Sequence, residues 1–198
     1  MKMDHSLPSE YSTEQNRLKI FGFWIFLGAE IALFATLFAT YFTLVNRTGN
    51  GPSGHDIFEL TPVLIETIVL LTSSFTIGLA INAMRLNNKK AMMGFLVITL
   101  LLGLGFLGVE IFEFTHYVEI GAGLTVSAFT SGLLTLLGTH GIHVTLGFFW
   151  GLMILFQVKN RGLTAETTNK SFIFSLYWHF LDVVWIFIFS FVYLKGMM

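Results

Sequence analysis

The chain has 198 residues, 54% of them hydrophobic and only 12% charged, with a net charge of -1 and a mean hydropathy of +0.73. This balance excludes an ordinary soluble domain and places the chain among integral membrane proteins. Cysteine is absent, so disulfides, thiolate nucleophiles, iron–sulfur clusters and cysteine-ligated copper or zinc are excluded, and the net charge carries no sign of a nucleic-acid partner.

The first nineteen residues are polar, with Asp4, His5, Ser6, Ser9, Glu10 and Asn16. They lack the apolar core of a signal sequence, which predicts a mobile cytoplasmic segment, residues 1–19, ahead of an uncleaved first helix. From there to residue 196 an all-α, polytopic membrane domain is predicted. Five apolar runs, near residues 20–45, 62–84, 92–118, 126–158 and 172–194, each reach the ~20 residues needed to cross a hydrocarbon core. None alternates with period two, so all five read as helices. The fourth run exceeds a straight crossing, which predicts a helix beginning near Ser131 or a tilted one. The loop "NRTGNGPSGHDIFEL" has Gly and Pro turn signals and is too short for a domain. Lys2, Arg17, Lys19, Arg85, Lys89, Lys90, Lys159, Arg161 and Lys170 fall on one side, against Arg47 and Lys195 on the other. That asymmetry predicts a cytoplasmic amino terminus and an outside carboxyl terminus.

Ionisable residues within the runs are costly unless paired, neutralised or hydrated. Glu30 lies in the first run, Glu66 in the second, Glu110, Glu113 and His116 in the third, His140 and His143 in the fourth, His179 and Asp182 in the fifth. With the helical rise, Glu30 and Asp182 fall about 15 Å from the cytoplasmic ends, near the midplane, and His179 about 10 Å in. Glu66, Glu113 and His116 fall toward the outer surface, where hydration is cheap, so the outer acids are expected to be solvated or interfacial.

His179 and Asp182 are three apart and can bond one another or a shared partner. Trp178 and Trp185 share the face of Asp182 by similar spacing. A polar seam fixing helix packing is favoured there over a proton relay. In "GTHGIHVTLG", His140 and His143 are also three apart. A metal needs three or four ligands, and two histidines of one helix cannot clamp a haem, although either could pair with His179. The nearby Gly138, Gly141, Gly147 and Gly151 favour packing instead, with Gly147-x-x-x-Gly151 as a motif on which another backbone can pack. The first run carries a small-residue stripe of the same kind, Gly28, Ala32, Ala35 and Ala39. Glu30 lies well off that stripe without an evident partner, facing a cleft, a lipid head group or another subunit.

Together "KIFGFWIFLGAE", "FELTPVLIETIVLLTSS", "EIFEFTHY", "GTHGIHVTLG" and "YWHFLDVVWIFIFSFVYL" resemble subunit III of the haem–copper terminal oxidases, from Lys19 to Gly196. The five-helix length, without the first two helices of the seven-helix mitochondrial form, and the long loop look most like the bacterial quinol oxidases, nearest the aa3-type menaquinol oxidases of Gram-positive bacteria. The resemblance implies no catalytic residue, metal or cofactor in this chain, the haems and copper belonging to a partner, subunit I. It implies packing on subunit I and the other subunits in the bacterial cytoplasmic membrane, phospholipids held in a V-shaped cleft, and support of proton uptake while the complex uses quinol. Glu30 matches the family's buried acid and is expected to be a neutral, hydrogen-bonded carboxyl beside lipid; His140, His143, His179 and Asp182 match other motif positions. The alternatives are subunit III of a cytochrome c oxidase, a small proton-coupled transporter using Glu30, Asp182 and His140, and a b-type haem anchor using His143 and His179. An odd number of helices and the lack of an internal repeat weigh against the transporter.

Overall fold

The computed structural model describes residues 8–49 and 51–197; Lys2, Asp4, His5 and Ser6 of the sequence reading lie outside the described residues. Among the described residues, five helices are long and apolar enough to cross a membrane. They are α1, Glu14–Leu44; α2, Leu60–Arg85; α3, Lys89–Glu119; α4, Ala128–Arg161; and α5, Ala165–Ile188. After α5 the chain continues through a π-helical turn, Phe189–Leu194, into Lys195–Met197.

Polar caps set where these helices begin. The Thr13 side chain accepts from the Asn16 N–H and Asn88 accepts from Ala91, while Ser127 with Thr130 and Thr164 with Thr167 form reciprocal capping boxes. A reading of apolar runs stops at the edge of the hydrocarbon and misses these capped polar turns. α1 therefore starts at Glu14 rather than 20, α5 at Ala165 rather than 172, and α4 runs unbroken from Ala128, not from Ser131. The first long loop contains a short helix, Gly54–Ile57. There Asp56 accepts from the hydroxyl and N–H of Ser53 at 2.6 and 2.9 Å, bonds that hold its pKa below the ordinary carboxylate range.

The expectation of a mobile amino-terminal segment is corrected for residues 8–13. Ser9–Tyr11 form a 3-10 turn, and Glu10 is completely buried. Arg85 Nε donates to Glu10 Oε1 at 2.9 Å, Asn169 Nδ2 donates to the carbonyls of Glu10 and Asn16, and Asn16 Nδ2 donates to the Ala165 carbonyl. All of these partners are distant in sequence, so composition gave no hint of them.

α2, α3, α4 and α5 contact one another in a closed ring, and α1 lies outside it against α4 and α5. The polarity is inverted relative to a soluble bundle. Trp24, Phe75, Phe112 and Phe156 are exposed, whereas Ser73, Thr67, Thr76 and Thr99 are buried. This follows from packing in lipid, where small and polar side chains rather than hydrophobicity join helices.

Trp178 and Trp185 of α5 are the largest side chains buried in the ring; Trp178 fills the space beside two glycines. It is 1% exposed, its Nε1–H donates to Ser73 Oγ of α2 at 2.9 Å, and its rings lie against Gly103 of α3 and Gly147 of α4. Gly151 seats Phe174 and Leu100. The Gly147 and Gly151 surface thus receives side chains of neighbouring helices, not the close-packed backbone that the motif suggested. A Cβ on Gly103 would fall 2.7 Å from Trp178 Cη2, whereas one on Gly105 would meet nothing within 4 Å. Gly103→Ala is therefore expected to destabilise the chain by about 1–3 kcal/mol and Gly105→Ala to leave it unchanged, as read from thermal unfolding midpoints in mild detergent.

Candidate functional site

A cavity of about 780 Å³ lies between α1 and α5. Its wall is apolar, with Leu27, Ile31 and Phe38 from α1 facing Phe180, Val184 and Phe187 from α5, and His179 is its one ionisable side chain. Gly28, Ala35 and Ala39 also line it. The small-residue stripe of α1 therefore does not pack on another helix of this chain: a Cβ on Gly28 would meet nothing within 4 Å, and Ala32 is exposed. Small side chains make room for a cavity as readily as for a neighbouring backbone, so their spacing could not tell the two apart.

Around the helix from the stripe, Glu30 is not without a partner. His143 of α4 approaches Glu30 Oε2 through Nε2 at 3.1 Å, with the two side chains 15% and 14% exposed. The Nδ1–H of the same imidazole donates to the Thr139 carbonyl at 2.7 Å. With Nδ1 committed as a donor, the Nε2–Oε2 bond needs one proton, held either as imidazolium with carboxylate or as neutral imidazole with carboxylic acid. Either arrangement is neutral overall, which a half-buried site among apolar helices tolerates. Phe34 joins the two features: it lines the cavity, and its ring centroid is 5.2 Å from that of His143 and 6.1 Å from that of Phe180.

The other histidines take separate partners. His140 is wholly buried; its Nε2–H donates to the Leu181 carbonyl at 3.2 Å, and its ring lies 5.4 Å from Trp185. His179 Nδ1 bonds Ser74 Oγ at 2.7 Å and stands 3.9 Å from Asp182 Oδ2, too far for a hydrogen bond. Asp182 is buried, and neither of its carboxyl oxygens has a hydrogen-bond partner. Trp185 Nε1 donates to Thr67 Oγ1 at 3.1 Å, so Trp178, His179 and Trp185 all reach α2. Neither His140 nor His143 pairs with His179, and Glu30, Asp182 and His140 go to different surroundings instead of one binding site. Among the described residues no three His, Asp or Glu side chains converge on a metal position.

The expectation for the outer acids is corrected as well. Glu66 and Glu113 are 0% and 6% exposed, so neither is open to bulk solvent, and Glu110, a turn from Glu113, is 5% exposed. Depth along a helix says how near the surface a residue lies, but the face it occupies decides whether water reaches it. Glu110, Glu113 and Tyr117, at i, i+3 and i+7, share one face of α3, and that spacing was the signal available in the sequence.

The chain matches the family model described as cytochrome c oxidase subunit III over residues 8–197. It is 60% identical over 190 residues to quinol oxidase subunit 3 of Bacillus subtilis, covering 96% of this chain and 93% of that protein. It is 51% identical over 186 residues to the probable quinol oxidase subunit 3 of Staphylococcus epidermidis, covering 93% and 92%. With cytochrome c oxidase subunit 3 of Bacillus sp. strain PS3 it shares 48% identity over 190 residues, covering 96% and 92%.

A double-mutant cycle on Glu30→Ala and His143→Ala, read by unfolding in detergent, is expected to give a coupling of about 0.5–3 kcal/mol. Zero coupling would show that the pair adds nothing to the attachment of α1.

Proposed function

This chain belongs to the cytochrome c oxidase subunit III family, and from that premise we propose that it is the non-redox subunit III of a haem–copper quinol oxidase, which couples quinol oxidation to the reduction of oxygen to water. The observation that carries the quinol reading is the 60% identity to a quinol oxidase subunit 3 across nearly the whole chain, against 48% to a cytochrome c oxidase subunit 3. The haems and copper belong to the partner subunit I, and this chain stabilises that partner and supports its proton uptake. In this chain His143, His179 and His140 are engaged with Glu30, Ser74 and the Leu181 carbonyl.

In this reading the cavity between α1 and α5 takes phospholipid acyl chains, to which its apolar wall is suited. Glu30 and His143 tie α1, which packs mainly on α4 and α5, to the rest of the bundle. His140, His179 and Asp182 serve helix packing. The complex lies in the bacterial cytoplasmic membrane, with the amino terminus of this chain in the cytoplasm and its carboxyl terminus outside, as the basic residues favour. No nucleic acid is involved.

Purification of the tagged chain from native membranes in mild detergent tests this. Co-purification of a haem-bearing large subunit with quinol-dependent oxygen consumption is expected; a chain that emerges alone, colourless or carrying haem by itself, overturns the reading. In the assembled complex, Glu30→Gln is expected to leave oxygen consumption near normal. Lost turnover with intact assembly would sink the structural role given to Glu30.

A further inference from the structure

A second polar site lies apart from the cleft, at the end of the bundle nearer the Gly54–Ile57 turn. Glu66 stands six residues into α2, about 9 Å from its start, is wholly buried, and has no hydrogen-bond partner on either carboxyl oxygen. From α3 come Glu110, Glu113 and Tyr117, and the π-helical turn after α5 brings Tyr193. The hydroxyls of Tyr193 and Tyr117 both donate to Glu113 Oε2, at 2.8 and 3.3 Å. The Glu110 carboxyl lies over the backbone of α4 at Gly141, where a Cβ would come within 2.8 Å of its Cδ, and its Oε1 is also unpartnered.

These groups belong to one neighbourhood. α2 packs on α3 and on the π-helical turn, which brings buried Glu66 to the same end of the bundle as Glu110, Glu113, Tyr117 and Tyr193. Among the described residues no lysine, arginine or histidine forms an ion pair with Glu66, Glu110 or Glu113. Both tyrosine protons are spent on Glu113, which leaves Glu66 without a donor from the chain. A buried carboxyl with no hydrogen bond is costly, the more so inside a membrane. The acids do not converge as metal ligands, and the small donor that routinely relieves such groups is a buried water making about three hydrogen bonds.

We propose that Glu66, Glu110 and Glu113, with Tyr117 and Tyr193, form an internal water-binding site in which water donates to the Glu66 carboxyl and links it to Glu110. Water there makes the protons of these acids exchangeable although the acids are buried, so the site can take up or release a proton inside the bundle. The inference does not rest on the oxidase reading, since every group in it belongs to this chain.

Infrared spectra of the purified complex with and without Glu66→Gln isolate the Glu66 absorption. The expected result is a carboxylic-acid band that shifts on brief exposure to D2O, or an ionised carboxylate band, which in these surroundings also requires water. An acid band that keeps its position through prolonged exposure means a dry site and overturns the proposal. Glu66→Met gives an independent reading. If water is bound, methionine strands it and the complex melts below both wild type and Glu66→Gln; if the site is dry, removing an unsatisfied polar group raises the midpoint above wild type. Should Glu66→Met fail to assemble, the infrared comparison decides, because it needs only the glutamine variant.

Discussion

Helices in a bilayer gain little by hiding apolar side chains from one another, because lipid tails are as apolar as they are. Whatever joins this bundle must therefore be tighter packing than lipid offers, or hydrogen bonds that lipid cannot make. Trp178 does both at once, filling the space left by Gly103 and Gly147 while its indole N–H bonds Ser73. Trp185 repeats the arrangement about two turns further along, against Thr67. The hydroxyls of Thr76 and Thr99 link α2 to α3 at 2.8 Å. Small residues supply the room, aromatic rings fill it, and hydroxyls satisfy the polar edges.

α1 stands outside this scheme. It is the least enclosed of the five helices and packs mainly on α4 and α5. Its attachment combines buried Leu27, Phe34 and Tyr41 with two polar contacts, Glu30 with His143 near mid-helix and the Asn16 bond to the Ala165 carbonyl at one end. His143 is itself held, because its Nδ1–H bonds Thr139 and its carbonyl accepts from the Tyr177 hydroxyl at 3.0 Å. Along the rest of the interface α1 and α5 leave a cavity lined by Gly28, Ala35 and Ala39.

His179 and Asp182, ionisable residues within the membrane-spanning length of α5, fall under the same contrast. His179 bonds Ser74 and also borders the cavity, and Asp182 sits buried beside it. Through Ser74, His179 takes part in the contact between α5 and α2, which closes the ring.

Composition and the length of the apolar runs by themselves determined that the chain crosses a membrane with five helices, because the hydrocarbon thickness imposes a length and backbone bonding imposes the helix. Motif resemblance determined the family. The sequence also located each buried ionisable residue along its helix, since rise per residue is a constant. Only the tertiary structure decided which way each one pointed and what it met: that Glu30 finds His143, that the stripe of α1 faces a cavity, that Glu10 is locked beneath Arg85, and that Glu66, Glu110 and Glu113 turn inward. The reason is physical. Hydropathy along a chain is a one-dimensional quantity that measures depth in the bilayer, while partnership depends on the rotation of each helix about its axis, and that rotation is settled by contacts between residues as far apart as Glu30 and His143.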